Sequence, residues 1–279
     1  MNVYASTIAL KGEDIHFHHT ISSSHIIVGV ADGHGGATAA QLCKDRIANI
    51  FVTHADKHVE CAIKATFEDL HRECCNLPCC SGCTLTVVIV DLHTGNYTCG
   101  NVGDSHAIHL KFSTHIWITT SHRLQDNLSE RRRHWQNVSY LSNNTQHPVG
   151  PPRLFPGGLT CSRAIGDADC KHVSCEPSVC SDIIKEGDAL VLCTDGVWDT
   201  APVKKITQVT RDTMNPDFLC RLATKFGVND DATAVIVTRE KRKTSLHVGL
   251  FKLFDRTGSS SSFSSEEEVT SPTTLKVPV

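Results

Sequence analysis

The sequence predicts an α+β fold, with largely antiparallel sheet covered by helices. Two observations lead there. Short runs rich in Val, Ile and Leu are bounded by turn residues, and stretches of helical periodicity lie between some of them. Strands arrive in pairs and helices arrive in pairs, which favours sheet layers with helices packed on their faces.

Residues 26–30 open this pattern as a strand, and 83–90, 107–112, 189–192 and 233–237 read the same way. Between the first two, Cys43, Ile47, Ile50 and Phe51 share one helical face, and Val59, Ile63, Phe67 and Leu70 share another. Residues 127–135 contain Arg131, Arg132 and Arg133 and predict an exposed basic helix. A further helix should open at Asn215-Pro216, an N-cap followed by proline in the first turn, with Phe218, Leu219 and Leu222 directed inward. No internal repeat is evident. A folded domain is expected over residues 1–238, a basic and amphipathic extension over 239–257, and a disordered Ser/Glu-rich tail over 258–279. The tail is too polar to offset chain entropy by burial.

Composition narrows the function. The chain has 279 residues, 27 Lys+Arg against 30 Asp+Glu, and a net charge of −3, so no nucleic-acid partner is expected. No apolar run approaches the ~18 residues of a spanning helix. Residues 1–11 have neither a basic start nor an apolar core of a secretory signal. The 14 cysteines are therefore expected as thiols in a reducing compartment, cytoplasmic and/or nuclear, in a monomeric protein.

The chemistry lies in acidic residues placed next to strands, most of them beside glycine. Residues 26–31 run into Asp32-Gly33-His34-Gly35-Gly36, and 189–194 run into Asp195-Gly196-Val197-Trp198-Asp199. Asp230-Asp231 leads into the last strand, and Glu13-Asp14 precedes Ile15-His16-Phe17. Carboxylates at strand ends can converge above a sheet edge, and glycine lets a carbonyl approach a ligand. Such an all-oxygen set suits Mg²⁺ or Mn²⁺. One isolated Asp-Gly would merely mark a turn; four acidic clusters in one chain argue for a site.

With Lys11-Gly12-Glu13-Asp14, Ser81-Gly82-Cys83-Thr84, Asn101-Val102-Gly103-Asp104-Ser105 and the 157–167 segment ending in Gly166-Asp167, these motifs follow one family order. The chain resembles the metal-dependent Ser/Thr protein phosphatases of type 2C, most like a plant-type or protist branch, from about Lys11 to about Thr238. The resemblance implies a four-layer α-β-β-α sandwich of two antiparallel sheets flanked by helix pairs. It implies two ions, Mn²⁺ or Mg²⁺, bridged by Asp32, with Asp195 and Asp230 on one and Glu13 and the Gly33 carbonyl on the other. Asp14 would hold a water on the metal, and His34 would act as general acid toward the leaving serine or threonine oxygen of a phosphoprotein substrate.

Two departures from the family pattern stand out. Ala9 replaces an arginine that grips the substrate phosphate, so Lys11, Arg153 and Arg163 are the candidates for that task, with Arg163 equally a candidate structural partner for a carboxylate. Ser121, in Thr119-Thr120-Ser121-His122, replaces an aspartate expected to help Asp195 and Asp199 hold a third ion, which should weaken that site. The departures also suit a catalytically weak or inactive member that binds phosphoproteins as a scaffold. A zinc module around His71, Cys74, Cys75, Cys79, Cys80 and Cys83 is a rival; no second Cys-x-x-Cys pair follows at finger spacing, which favours a plain cysteine-rich loop.

Overall fold

The computed structural model describes residues 1–142 and 147–239. Three strands, β1 (Asn2–Ile8), β2 (Asp14–Thr20) and β3 (His25–His34), precede the helix pair α1 (Thr38–Thr53) and α2 (Val59–Cys75). Then come β4 (Gly82–Cys83), β5 (Leu85–Asp91), β6 (Asn96–Val102), β7 (His106–Leu110) and β8 (His115–Trp117). A flap follows, made of helix α3 (Leu128–Arg133) and the hairpin β9 (Val138–Ser142) and β10 (Pro148–Leu154). The chain returns through β11 (Ile165–Gly166), β12 (Ser178–Ile183) and β13 (Ala189–Cys193). It closes with α4 (Asp195–Trp198), α5 (Val203–Thr213), α6 (Pro216–Lys225) and β14 (Ala232–Thr238).

Two antiparallel sheets result. One has the order β1-β14-β13-β7-β8. The other runs β2-β3-β5-β6-β12, with β4 and β11 continuing beside the end of β3. Period-2 alternation explains the layers. In β3, Ile26, Val28 and Val30 face the opposite sheet, where they meet Leu190, Leu192, Val235 and Val237. Ile27 and Ala31 face the other way, onto Cys43, Ile47, Ile63, Phe67 and Leu70 of α1 and α2. Val191, Cys193, Ala234 and Ile236 likewise meet Ile206, Leu219 and Ala223 of α5 and α6. The four-layer sandwich is as expected, and β3, β5, β13 and β14 are largely apolar because both their faces are buried.

The expected strands and helices are present, with two corrections. The third strand stops at Leu110 and leaves Phe112 94% exposed. Asn215 caps α6, accepting a hydrogen bond from the Asp217 N–H, but Phe218 points outward while Leu219 is buried. The expected extension and tail lie outside the described residues except Arg239. Its guanidinium donates to the carbonyls of His93, Thr94 and Ile184 and ties two loops together.

Candidate active site

The polar site grows directly out of the apolar inter-sheet layer. Following the alternation of β3 past Val28 and Val30 gives Asp32; following β13 past Leu190 and Leu192 gives Thr194. Asp14 is the register partner of Asp32 across β2 and β3, so both carboxylates leave the same face. Asp14 is 8% exposed and accepts a hydrogen bond from the Thr194 hydroxyl at 2.7 Å. The two sheets are thus joined at this end by a hydrogen bond in place of packing.

The loop ahead of β2 is held by Asp231. Its carboxylate accepts hydrogen bonds from the backbone N–H groups of Leu10, Lys11, Gly12, Glu13 and Asp14 at 2.5 to 3.1 Å. Burial raises its pKa, but these donors outweigh it and hold the group down at about 2. Glu13 is thereby fixed beside Gly33, whose N–H donates to the Glu13 carbonyl at 3.2 Å. A Cβ on Gly33 would come within 2.8 Å of that carbonyl, so only glycine permits the approach.

A cleft of about 260 Å³ opens above these groups, lined by Lys11, Glu13, Asp32, Gly33, His34, Asp104, Arg153, Arg163, Asp195 and Asp230 among others. The sequence-expected ligands Glu13, Asp32, Gly33, Asp195 and Asp230 are therefore brought together. Asp14 lies beneath them, and Asp199 lies to one side. Protein donors engage several of the carboxylates. Lys11 Nζ donates to Asp230 at 2.7 Å, the Gly36 N–H donates to Glu13 at 2.8 Å, and Arg123 holds Asp195 at 3.0 Å. Accordingly, among the described residues no three His, Cys, Asp or Glu side chains form a ready ligand set.

The donors still fit a hard dication. They are all oxygen, and their charge exceeds what Lys11 and Arg123 offset. Burial, then repulsion from Asp195, Asp14 and other carboxylates, pushes Asp32 up to about 10. Burial with Asp104 and Asp199 pushes Asp195 to about 7, and burial is the main cause that lifts Asp14 to about 6. Such a cluster favours bound cations.

His34, half-exposed at the rim, has its Nε2 2.7 Å from Asp167 Oδ1. Burial pulls the imidazole pKa down, but the Asp167 hydrogen bond and charge win and hold it above its usual value. Asp167 is 4% exposed at a positive φ of 58° and packs over Gly82, where a Cβ would strike its carboxylate.

Two candidates change standing. Arg163 reaches the cleft, but its guanidinium is gripped by Glu130 at 2.6 and 3.2 Å and by the Glu176 carbonyl at 2.7 Å. It is not free to take a phosphate. Arg153 donates to the Gly158 carbonyl at 2.7 Å and keeps a buried, unpartnered Nε. Around Asp195 and Asp199 the third converging carboxylate is Asp104, not residue 121. Ser121 Oγ instead accepts the Arg123 backbone N–H at 3.3 Å. The cysteine-rich loop does not converge on a metal site: Cys74 is buried under α1, and Cys83 Sγ lies 3.7 Å from Cys43 Sγ.

Asp104, Asp167, Asp231 and Arg123 are the residues sequence reasoning left without roles. Each stands in or beside a quoted motif, which was the available signal.

Comparison with known proteins shows the family and the fold. The family model of Protein phosphatase 2C matches residues 10–236. A relative from Arabidopsis thaliana, "Probable protein phosphatase 2C 5", is 30% identical over 260 residues, covering 83% of this chain and 60% of its own length. The chain spans about half to three-fifths of the curated plant relatives. A Toxoplasma gondii serine-threonine phosphatase 2C structure aligns with a TM-score of 0.67 at 19% identity, over 83% of this chain and 93% of that one. The catalytic domain of a serine/threonine phosphatase, PstP, in complex with 2 manganese ions, aligns with a TM-score of 0.55 at 18% identity, over 84% and 97%.

Proposed function

The chain belongs to the protein phosphatase 2C family, and from that premise we propose that it is a metal-dependent phosphoserine/phosphothreonine phosphatase acting on phosphoproteins. The observation that carries this reading is the convergence of Glu13, Asp32, Asp195 and Asp230 with His34 in one cleft. Asp32, Asp195, Asp230, Glu13 and the Gly33 carbonyl would hold two ions, Mn²⁺ or Mg²⁺. When bound, such a pair acidifies a water for attack on phosphorus and offsets charge on the phosphoryl oxygens.

The chain's own groups do the rest. Asp14, opposite Asp32 and fixed by Thr194, orients water on the cleft floor. His34 delivers a proton to the departing serine or threonine oxygen, which leaves poorly as an alkoxide. Asp167 fixes the imidazole ring and keeps it protonated at higher pH than a free histidine. Arg153 and Lys11, which both line the cleft, offer cationic donors to the phosphate.

The purified chain should hydrolyse a phosphothreonine peptide with added Mn²⁺ and stop in EDTA. Asp32→Asn and Asp230→Asn should each remove most activity, and Arg153→Met should raise KM. Full turnover in EDTA refutes the metal mechanism. No turnover on several phosphopeptides with either ion favours a phosphoprotein-binding role.

A further inference from the structure

We propose that the Arg123 guanidinium is a built-in cation standing in the place of a third divalent ion, so that this chain holds two ions and no more. The inference rests on the metal-pair reading above and adds a limit to it. Arg123 follows His122, whose buried ring is locked between the Gly103 N–H and the Ser178 hydroxyl. From that fixed point the side chain reaches three carboxylates, Asp104 in the turn after β6 and Asp195 and Asp199 at the two ends of α4. Its Nε and Nη2 lie 2.8 and 2.7 Å from one oxygen of Asp104; Nη2 is also 3.0 Å from Asp195, and Nη1 is 2.6 Å from Asp199. The guanidinium side chain is only 21% exposed, and although burial opposes its charge, these carboxylates raise its pKa further.

A divalent ion bound by the same three carboxylates would need their oxygens at about 2.0–2.6 Å. The guanidinium nitrogens already occupy that space at hydrogen-bond distance, and their charge repels a dication. Arginine does not vacate the space by losing its proton. Lys11 makes the contrast. Its single contact with Asp230 joins side chains 50% and 39% exposed, a pair that water and ions displace readily. Arg123 is held by three partners and is shielded. The fold therefore keeps one permanent charge beside Asp195, so that orienting this ligand does not depend on ion concentration. Ser121 cannot change the outcome, because its hydroxyl caps the Arg123 backbone and the triad is completed by Asp104.

The test counts ions. Equilibrium dialysis with saturating Mn²⁺ should give two ions per chain for the natural sequence and three for Arg123→Gln, which frees the carboxylates without adding charge. Without metal, Arg123→Gln should melt below the natural chain, and Mn²⁺ should raise its Tm by more. Three ions on the natural chain overturn the inference, a result that needs no variant to fold. Two ions on both proteins overturn it as well. No ion on either protein removes the metal-pair reading itself, a separate and distinguishable failure.

Discussion

Replacing Glu130 by glutamine tests whether Arg163 is a structural clamp, as its geometry indicates, or a phosphate-binding group. Glu130 lies in α3, whose N-cap Asn127 accepts from the Ser129 and Glu130 N–H groups. It points out of the flap into the domain and is 3% exposed. There it accepts from the Ser162 hydroxyl at 2.6 Å and from Arg163 through two nitrogens. Burial raises its pKa, yet Arg163, Ser162 and Arg133 outweigh that and hold it at about 2, from an ordinary 4.5. At about 1.4 kcal/mol per pH unit, that interval corresponds to about 3 kcal/mol of folding free energy.

The sign follows from a depressed folded pKa. The contribution is complete above pH ~4.5, where the unfolded chain is also ionised, and is lost as pH falls toward 2. Glu130→Gln leaves Arg163 buried with only neutral acceptors, for which about 3–5 kcal/mol is the ordinary cost. In a domain of this size that lowers Tm at pH 7 by about 6–20 °C. Calorimetry at pH 7 and an acid titration followed by circular dichroism read both effects, and the variant should lose stability less steeply below pH 4.5. The double variant Glu130→Gln with Arg163→Met should cost less than the two single changes summed. A Tm within about 2 °C of the natural protein would refute the clamp. So would an Arg163→Met variant that raised KM while melting normally.

Two further outcomes concern the site. His34→Ala should slow a phosphothreonine peptide far more than p-nitrophenyl phosphate, whose leaving group needs little protonation, and Asp167→Asn should reproduce part of that difference; equal losses on both substrates count against a general acid at His34. Asp231→Ala should release the 10–14 loop from its carboxylate, costing about 3 kcal/mol and weakening Mn²⁺ binding through Glu13. Calorimetric Mn²⁺ titration checks this, and unchanged affinity contradicts it.

The elements legible in the sequence are those buried on both faces. β3, β5, β13 and β14 read as continuous apolar runs because helices cover one side and the other sheet covers the second. The edge strand β1 has mostly half-buried residues, and β12 is exposed at Ser181, Asp182 and Ile183, so neither shows a clear period. Helix α5 hides its buried face behind Thr207 and Thr210, which pattern reading treats as polar. At the site, Asp32, Asp195 and Asp230 were visible because each adjoins an apolar run, two of them with glycine next in sequence. Asp231, Asp167 and Glu130 were not, since their value depends on partners such as Leu10, His34 and Arg163 that are distant in sequence. For Arg163 a carboxylate pairing was legible as an alternative to phosphate binding, but which carboxylate was not, because Glu130 is distant in sequence.

The position of the active end follows from one alternation carried past the point where packing stops. Even-numbered residues of β3 and β13 build the apolar layer up to Val30 and Leu192; the next even positions are Asp32 and Thr194. On β14 the odd positions Val237 and Val235 lead back to Thr233 and Asp231. A layer that is dry along most of its length thus ends in hydroxyls and carboxylates facing one another. Asp14 and Asp32 emerge opposite each other on one face, where two like charges repel. Burial first, then repulsion from Asp195 and Asp14, raises the pKa of Asp32. Substituting these acids by apolar residues would extend the dry layer and stabilise the sandwich without metal, while removing the oxygens a cation needs. Under the proposed function, relief of this repulsion would give bound cations a differential affinity for the folded state, and each ion would also stabilise the junction of the two sheets.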